Sequence, residues 1–174
     1  MKYLDTSKVK NYRGTNFHIV PQGKGVYFYH YGDFVSNYTD FNYIDALYKS
    51  EVDVQNMKSD ILVIGLEIGC IPHWLTNVCP LSKITVIESN EELITAVKSM
   101  GYLPNKVNII HSDFFSYEPK QKYDLIITDM WWEDNTETFD EINLLRKHYD
   151  NFIKKNGRFY TPMLSPYIYE KITN

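Results

Sequence analysis

The chain has 174 residues, a length that suits one domain able to bury about two-thirds of the surface exposed by its unfolded form. A net charge of -4 provides no broad basic field, so we expect no extended nucleic-acid partner. Two cysteines are too few for a disulfide framework, and the dispersed histidines do not show zinc-ligand spacing. We therefore expect a cytoplasmic protein without a metal site. No apolar run reaches the length of a membrane span, which predicts no membrane association.

The N-terminal part alternates short aromatic and β-branched runs with glycine-containing turns. Residues 17–20 and 26–30 predict a small antiparallel sheet or hairpin. Residues 40–49 begin with a capping aspartate and carry apolar positions at helical spacing, so a lead-in helix is expected there. We assign residues 1–58 to this β-rich segment and its helix, and residues 59–174 to a main domain, both within one compact unit.

From residue 60 the pattern changes to short apolar runs separated by helical stretches, typical of parallel strands covered on both faces. Helices are predicted at 72–78, from an Asn90 cap to about Gly101, and over 139–153 with the Asn156-Gly157 pair as a stop signal. The alternation predicts an α/β fold with a Rossmann-like, doubly wound and mainly parallel sheet. The expected strands are 61–64, 84–87, 107–110, 125–128 and 159–163, with 167–172 as an optional sixth.

Acidic side chains follow three of these strands at the edge where parallel sheets bind their ligands. A turn from Gly65 to Gly69 follows the first strand, and Glu88, Asp113 and Asp129 follow the next three. Ionised carboxylates only accept hydrogen bonds, so they suit ribose hydroxyls and an adenine amine. The two glycines allow a close backbone approach but lack the three-glycine fingerprint for the pyrophosphate of NAD. The pattern favours a nucleoside without a diphosphate, although each acid alone also fits a solvated strand end or a helix cap.

These segments resemble the class I S-adenosylmethionine methyltransferases, and most closely the spermidine synthase group of aminopropyltransferases, over about residues 26–163. VIESNEELI (86–94) resembles the ribose-binding acid and its helix, HSDFF (111–115) the adenine-binding acid, and YDLIITD (123–129) the fourth strand with the catalytic acid. The resemblance implies S-adenosylmethionine, or its decarboxylated form, as the cofactor. It also implies nucleoside contacts for Glu88 and Asp113 and an active-site role for Asp129. Together with the turn residues, the predicted cofactor-binding residues are Gly65, Glu67, Gly69, Glu88, Ser89, Asp113, Phe114 and Asp129.

Three positions depart from the spermidine synthase pattern. Ile68 occupies the position of the acid that anchors the amine of the donor, and Glu67 occupies that of a middle glycine. Trp132 replaces the second active-site acid. These departures count against aminopropyl transfer. Glu67 suits either of two roles, pairing with the donor ammonium or favouring the dipole at a helix start.

Asp129 is followed by Met130, Trp131 and Trp132, and this run loosely resembles the acid-Pro-Pro-aromatic motif of amino-methyltransferases. In that motif the acid accepts a hydrogen bond from an amine and the ring stacks on the planar group that carries it. We therefore take Asp129, Trp131 and Trp132 as the catalytic residues. The alternative for the tryptophans is that one belongs to the core and the other covers the pocket mouth.

The leading hypothesis is an S-adenosylmethionine-dependent enzyme that transfers a methyl group to a small cationic or amine acceptor. Three alternatives stay open: spermidine synthase-like aminopropyl transfer, cleavage of the donor without an acceptor, and a non-catalytic module that binds a nucleoside or a partner. A homodimer is a further expectation.

Overall fold

A computed structural model describes residues 6–22, 25–31, 33–37, 58–130 and 136–161 of the chain. The first described unit is an antiparallel sheet in which the strands follow one another in chain order. Its inner face is apolar because alternate residues of its strands, such as Phe17, Ile19 and Phe28, are buried. The N-terminal sheet expected from the sequence is therefore confirmed, whereas the expected helix at 40–49 lies outside the described residues. The strands are β1 (Tyr12–Arg13), β2 (Phe17–Gln22), β3 (Gly25–His30) and β4 (Asp33–Asn37).

The second unit is a five-stranded sheet in the order β7-β6-β5-β8-β9, and every neighbouring pair in it is parallel. This topology confirms the predicted Rossmann-like sheet. Residues 61–64 of the central strand are completely buried, as expected for a strand covered on both faces. The optional sixth strand at 167–172 lies outside the described residues. The strands are β5 (Asp60–Ile64), β6 (Lys83–Glu88), β7 (Val107–His111), β8 (Tyr123–Thr128) and β9 (Ile153–Tyr160).

Three helices connect these strands: α1 (Cys70–Val78), α2 (Glu91–Met100) and α3 (Thr136–Tyr149). The Asn90 side chain caps α2 by accepting a hydrogen bond from the Leu93 amide at 3.1 Å, as predicted. Gly101 ends the same helix in the left-handed conformation, with φ 69°. No described helix has both the length and the apolar character needed to cross a membrane.

The predicted helix over 139–153 is wrong at its C-terminal end. Helix α3 stops at Tyr149, a 3-10 turn covers Asp150–Phe152, and β9 begins at Ile153. Gly157 lies inside β9, where a Cβ atom would come within 2.8 Å of the Tyr123 carbonyl oxygen. The glycine therefore allows β9 to approach β8 closely instead of stopping a helix.

Two apolar clusters fill the spaces on either side of the parallel sheet. One contains Ile61 and Val63 of β5 together with Phe17 and Phe28, so the N-terminal sheet belongs to the same core. The other contains the opposite face of β5 and the inward residues of α3, including Tyr149. The alternation of side chains along β5 separates the two clusters. The N-terminal sheet is thereby packed against the parallel sheet.

Candidate functional site

A cavity of about 650 Å³, here called the inner cavity, opens at the carboxyl edge of the parallel sheet. Gly65, Glu88 and Asp129, from the ends of β5, β6 and β8, line one side. Phe17, Phe28 and His30 of the N-terminal sheet line another. The C-terminal ends of neighbouring parallel strands meet at this edge, which is where open α/β sheets bind ligands.

Gly65 brings the backbone of the turn after β5 into close contact with the end of β8. It has φ 95°, a left-handed value that favours glycine, and a Cβ atom there would collide with the Asp129 carbonyl oxygen. The Gly65 amide donates to the Ile87 carbonyl at 2.9 Å, and the Asp129 amide donates to the Ile64 carbonyl at 2.7 Å. The turn is therefore fixed by both neighbouring strands and leaves its backbone open to the inner cavity.

Glu88 is an acid that is only 8% exposed and lines the inner cavity. Its Oε2 accepts a hydrogen bond from the Leu66 amide at 3.0 Å, and its Oε1 accepts one from the Asn90 amide at 2.7 Å. The carboxylate thus joins the glycine turn to the start of α2. Each oxygen of an ionised carboxylate has two lone pairs, so Glu88 retains capacity for donors from a ligand.

Asp129 has a side-chain oxygen that is buried without a donor. Among the described residues nothing donates to its Oδ2. Burial, together with the nearby Glu88 carboxylate, raises the pKa of Asp129 to about 7. An acid with this pKa can exchange a proton near neutral pH.

Glu67 is the acidic side chain of the turn that reaches the inner cavity. Its φ of 43° lies in the left-handed region, which few residues other than glycine adopt without strain. The neighbouring Ile68 side chain is completely buried, and its carbonyl oxygen accepts a hydrogen bond from the Tyr102 hydroxyl. The turn therefore presents an acid at position 67 and an apolar core residue at position 68.

The structure brings most of the predicted cofactor-binding residues together. Gly65, Glu67, Glu88, Ser89, Phe114 and Asp129 all line the inner cavity. Gly69 does not line it; it precedes α1 with φ 76°, and a Cβ there would touch Leu103. Trp131 and Trp132 lie outside the described residues. A ligand contact for each of these residues stays a prediction.

Asp113 is exposed and is not among the residues that line the inner cavity. Its Oδ1 accepts hydrogen bonds from the amides of Phe115 at 3.1 Å and Ser116 at 3.0 Å. It therefore fixes the turn that carries Phe114, which does line the cavity. The predicted contact between Asp113 and an adenine amine is untested.

Sequence reasoning missed the two walls that come from outside the strand ends. The N-terminal sheet contributes Phe17, Phe28 and His30, and α3 contributes Thr138 and Glu141. Period-two burial along β2 and β3 does indicate an inward face, but only the packed structure shows what that face covers. Thr138 and Glu141 are three positions apart, a spacing that places two side chains on one helix face.

Polar contacts from α2 fix the turn between β1 and β2 beside the inner cavity. Glu92 Oε2 accepts a hydrogen bond from the Thr15 amide at 2.9 Å, and this bond lowers the pKa of Glu92. Asn90 Nδ2 donates to Asn16 Oδ1 at 3.0 Å. Asn16 also lines the inner cavity, so the N-terminal sheet is joined to the edge that carries Glu88. Within the described ranges, no group of three or more His, Cys, Asp or Glu side chains is arranged to hold a metal ion.

The curated relatives of this chain are methyltransferases. Malonyl-[acyl-carrier protein] O-methyltransferase 2 of Ilyobacter polytropus is 30% identical over 101 residues, which are 56% of this chain and 36% of the relative. The bifunctional methyltransferase of Rickettsia bellii is 31% identical over 93 residues, which are 52% of this chain and 16% of the relative. The chain therefore spans little more than a third of the first relative and less of the second. No protein-family model matches the chain.

Solved structures share the arrangement of the parallel sheet. A structure of coclaurine N-methyltransferase, bound to N-methylheliamine and S-adenosylhomocysteine, matches with TM-score 0.56 and 16% identity over 69% of this chain and 34% of its own. The chain has the class I methyltransferase fold. A probable spermidine synthase from Corynebacterium glutamicum matches with TM-score 0.63 and 19% identity over 87% of this chain and 62% of its own. Spermidine synthase similarity is thus one likeness among several within this fold.

Proposed function

We propose that the chain binds S-adenosylmethionine in the inner cavity and transfers its methyl group to a small amine acceptor. One observation supports this function most: a glycine turn, a buried acid and a carboxyl oxygen to which no described residue donates meet at adjoining strand ends. The names of the curated relatives support the methyl-transfer part of the proposal; the amine acceptor is argued from the residues of the cavity alone, since the first relative is named an O-methyltransferase.

The residues present fit this cofactor in chemistry and in space. Gly65 allows the turn to pack directly against the end of β8, where a Cβ atom would collide, and this packing places the backbone of Gly65 in the cavity wall. In the proposed complex, Glu88 accepts from the ribose hydroxyls, Glu67 pairs with the methionine ammonium, and the Phe114 ring packs against the adenine. When bound, S-adenosylmethionine supplies a methyl group already activated by its sulfonium.

In the proposed complex, Asp129 and Glu141 are the residues that contact the methyl acceptor. Both line the inner cavity, and their negative charge suits a cationic or amine group. Asp129 accepts a hydrogen bond from the acceptor amine and takes up the proton that the nitrogen loses after it is methylated. A pKa of about 7 suits this exchange at neutral pH. The remaining contribution of the chain is to orient the acceptor and to exclude water from the cavity.

Calorimetric titration tests the cofactor part of the proposal. Wild-type protein is titrated with S-adenosylmethionine, S-adenosylhomocysteine and methylthioadenosine, beside Glu88→Gln and the matched control Glu91→Gln. Glu91 lies in the first turn of α2, is exposed, and does not line the inner cavity. We expect Glu88→Gln to weaken all three ligands by about tenfold or more, because the amide leaves one fewer accepting oxygen.

We expect Glu91→Gln to bind like the wild type, because it removes the same charge at a distance from the ligand. Absence of binding to all three ligands by folded wild-type protein would refute the proposed function. Equal weakening by the two variants would refute the role of Glu88. The transfer itself is tested by mass spectrometry, with S-adenosylhomocysteine and a methylated amine as the expected products.

Aminopropyl transfer is a second candidate, favoured by the 87% of this chain that matches the probable spermidine synthase. Its donor is decarboxylated S-adenosylmethionine, and its nucleoside product is methylthioadenosine. At position 68 this chain has a buried isoleucine instead of an anchoring acid. Methylthioadenosine formed together with an aminopropylated amine would select this reaction over methyl transfer.

A further inference from the structure

The N-terminal sheet has a second groove on the face opposite to the inner cavity. The pairing register places Arg13 opposite His18 and His18 opposite Tyr29, so these three side chains form a row across β1, β2 and β3. The inward residues Phe17 and Phe28 lie on the other face and are buried in the core. The row lines a groove of about 610 Å³, here called the outer groove, together with Gly14, Thr15, Asn16, Phe17, Val20 and Tyr31.

Arg13 gives the outer groove its positive charge. The side chain is exposed, and among the described residues no carboxylate forms a salt bridge with it. The nearby acid Glu92 is directed to the Thr15 amide, from which it accepts a hydrogen bond. A guanidinium binds a phosphate or carboxylate through two parallel hydrogen bonds, a geometry that a lysine ammonium does not offer.

Aromatic rings adjoin this cation. The rings of His18 and Tyr29 lie 6.3 Å apart between centroids, and Nε2 of His18 is hydrogen-bonded to Asn11 Oδ1 at 2.9 Å. Tyr31 is 75% exposed at the end of β3. A planar ring in the outer groove would gain stacking or edge contacts with these residues. Cation and rings together match a ligand that carries a negative group on a planar ring.

The outer groove and the inner cavity adjoin each other. Asn16, Phe17 and Tyr31 line both, so the turn between β1 and β2 and the end of β3 form their common border. The inner cavity is lined by four acids, Glu67, Glu88, Asp129 and Glu141, whereas the outer groove is lined by a cation. A ligand that extends across the border would therefore meet negative charge at one end and positive charge at the other.

We propose that the outer groove binds an oxyanion attached to a planar ring, through the Arg13 guanidinium and the rings of His18 and Tyr29. The ligand is the distal part of the acceptor whose amine enters the inner cavity; this last assignment rests on the proposed function, whereas binding in the groove does not.

Phenyl phosphate is the probe for the groove, and its affinity is measured by calorimetry and by amide shifts in NMR spectra. Methyl phosphate, which lacks the ring, and phenol, which lacks the oxyanion, are titrated in parallel. The variants are Arg13→Gln and the control Lys10→Gln, which removes the same charge from an exposed residue outside the outer groove. Both changes are at exposed positions, and circular dichroism verifies that the variants fold.

We expect phenyl phosphate to shift the amides of Arg13, His18 and Tyr29 and to bind more tightly than either partial probe. Arg13→Gln should weaken it by about tenfold or more, and Lys10→Gln by less than about twofold. Equal weakening by both variants would show general charge attraction and overturn the inference, as would shifts elsewhere or no binding. Methylthioadenosine, S-adenosylmethionine and S-adenosylhomocysteine are titrated into the same samples. If all three fail to bind samples that show Arg13-dependent phenyl phosphate binding, the proposed function is overturned and the groove inference stands.

Discussion

Replacing Asp129 by asparagine should stabilise the protein above neutral pH. Asparagine has the shape of the acid without its charge, so the change removes the cost of ionising a buried group. The pKa of Asp129 is about 7 in the folded protein and 3.8 in an unperturbed aspartate, a difference of about three units. At 1.36 kcal/mol per unit, the ionised side chain lowers the free energy of unfolding by about 4 kcal/mol.

The direction in which stability changes with pH depends on which state, folded or unfolded, keeps the proton of Asp129. Between pH 3.8 and about 7 the folded state keeps the proton of Asp129 and the unfolded state loses it, so stability falls as pH rises through this window. Below it both states are protonated, and the wild type and Asp129→Asn should differ little. Above pH 7 the variant should be more stable by up to about 4 kcal/mol, or roughly 8–16 °C in melting temperature for a chain of this size.

Thermal and urea unfolding of both proteins between pH 4 and pH 8 measures this difference. Groups that do not interact with Asp129 cancel between the two proteins, whereas Glu88, which interacts with Asp129, contributes to the measured difference. Cys70, the buried neighbour of Asp129, stays protonated because burial raises its pKa far above this range. Asp124→Asn is the control with the opposite sign. Burial raises the pKa of Asp124, but hydrogen bonds from Lys154 and from the Asp60 amide outweigh it, so the pKa is lowered. That variant should lose stability at pH 7 and recover relative to the wild type as the pH falls. A constant difference between wild type and Asp129→Asn across the range would refute the reasoning.

Three other predictions concern backbone, turn and strand contacts. Gly65→Ala should lower the free energy of unfolding by at least about 2 kcal/mol and weaken nucleoside binding. Gly101→Ala is the control, because Gly101 also has a positive φ but has open space around it; this change should cost about 1 kcal/mol and leave binding unchanged. Tyr149→Phe removes a hydrogen bond of 2.8 Å to the Phe114 carbonyl and should lower the free energy of unfolding by about 1–2 kcal/mol. Amide hydrogen exchange in the 114–117 turn should become faster, and unchanged exchange would contradict the proposed role of this bond. Lys154→Met breaks two ion pairs of 2.8 Å at the surface and should lower stability only slightly, and the loss should shrink in high salt; a large, salt-independent loss would contradict this prediction.

The parallel sheet and its acids were predictable because their signals are local. Continuous apolar runs mark strands buried on both faces, and chain order places the residues after them at one edge. Glu88 and Asp129 followed directly from this rule and do line one cavity. That no residue of the described part of the chain donates to Asp129 Oδ2 was not predictable, since it depends on what packs around the side chain.

The incorrect or incomplete predictions concern residues whose role depends on contacts with residues distant in the sequence. Asn156-Gly157 has the form of a helix stop, yet the glycine is required by the backbone of β8 at Tyr123. Phe28 belongs to a strand that periodicity identifies, but its place in the cavity wall depends on how two sheets pack. Asp113 follows its strand as expected, although its Oδ1 is occupied by amides of its own turn. Local pattern identified the strands before Asp113 and around Phe28 but not the strand that contains Gly157, and tertiary packing decides the role of all three residues.

Three unusual features meet in the inner cavity: the left-handed backbone of Glu67, the left-handed backbone of Gly65, and a buried oxygen of Asp129 to which no residue in the described ranges donates. Selection for stability alone would not favour these features at one place, whereas backbone strain and unpaired polar groups are common at binding sites. If the cavity binds a cation beside Asp129, one substitution should move stability and function in opposite directions. Asp129→Asn should unfold at a higher temperature at pH 8 and transfer the methyl group more slowly. A variant that is both more stable and fully active would show that the carboxylate serves neither the ligand nor the reaction.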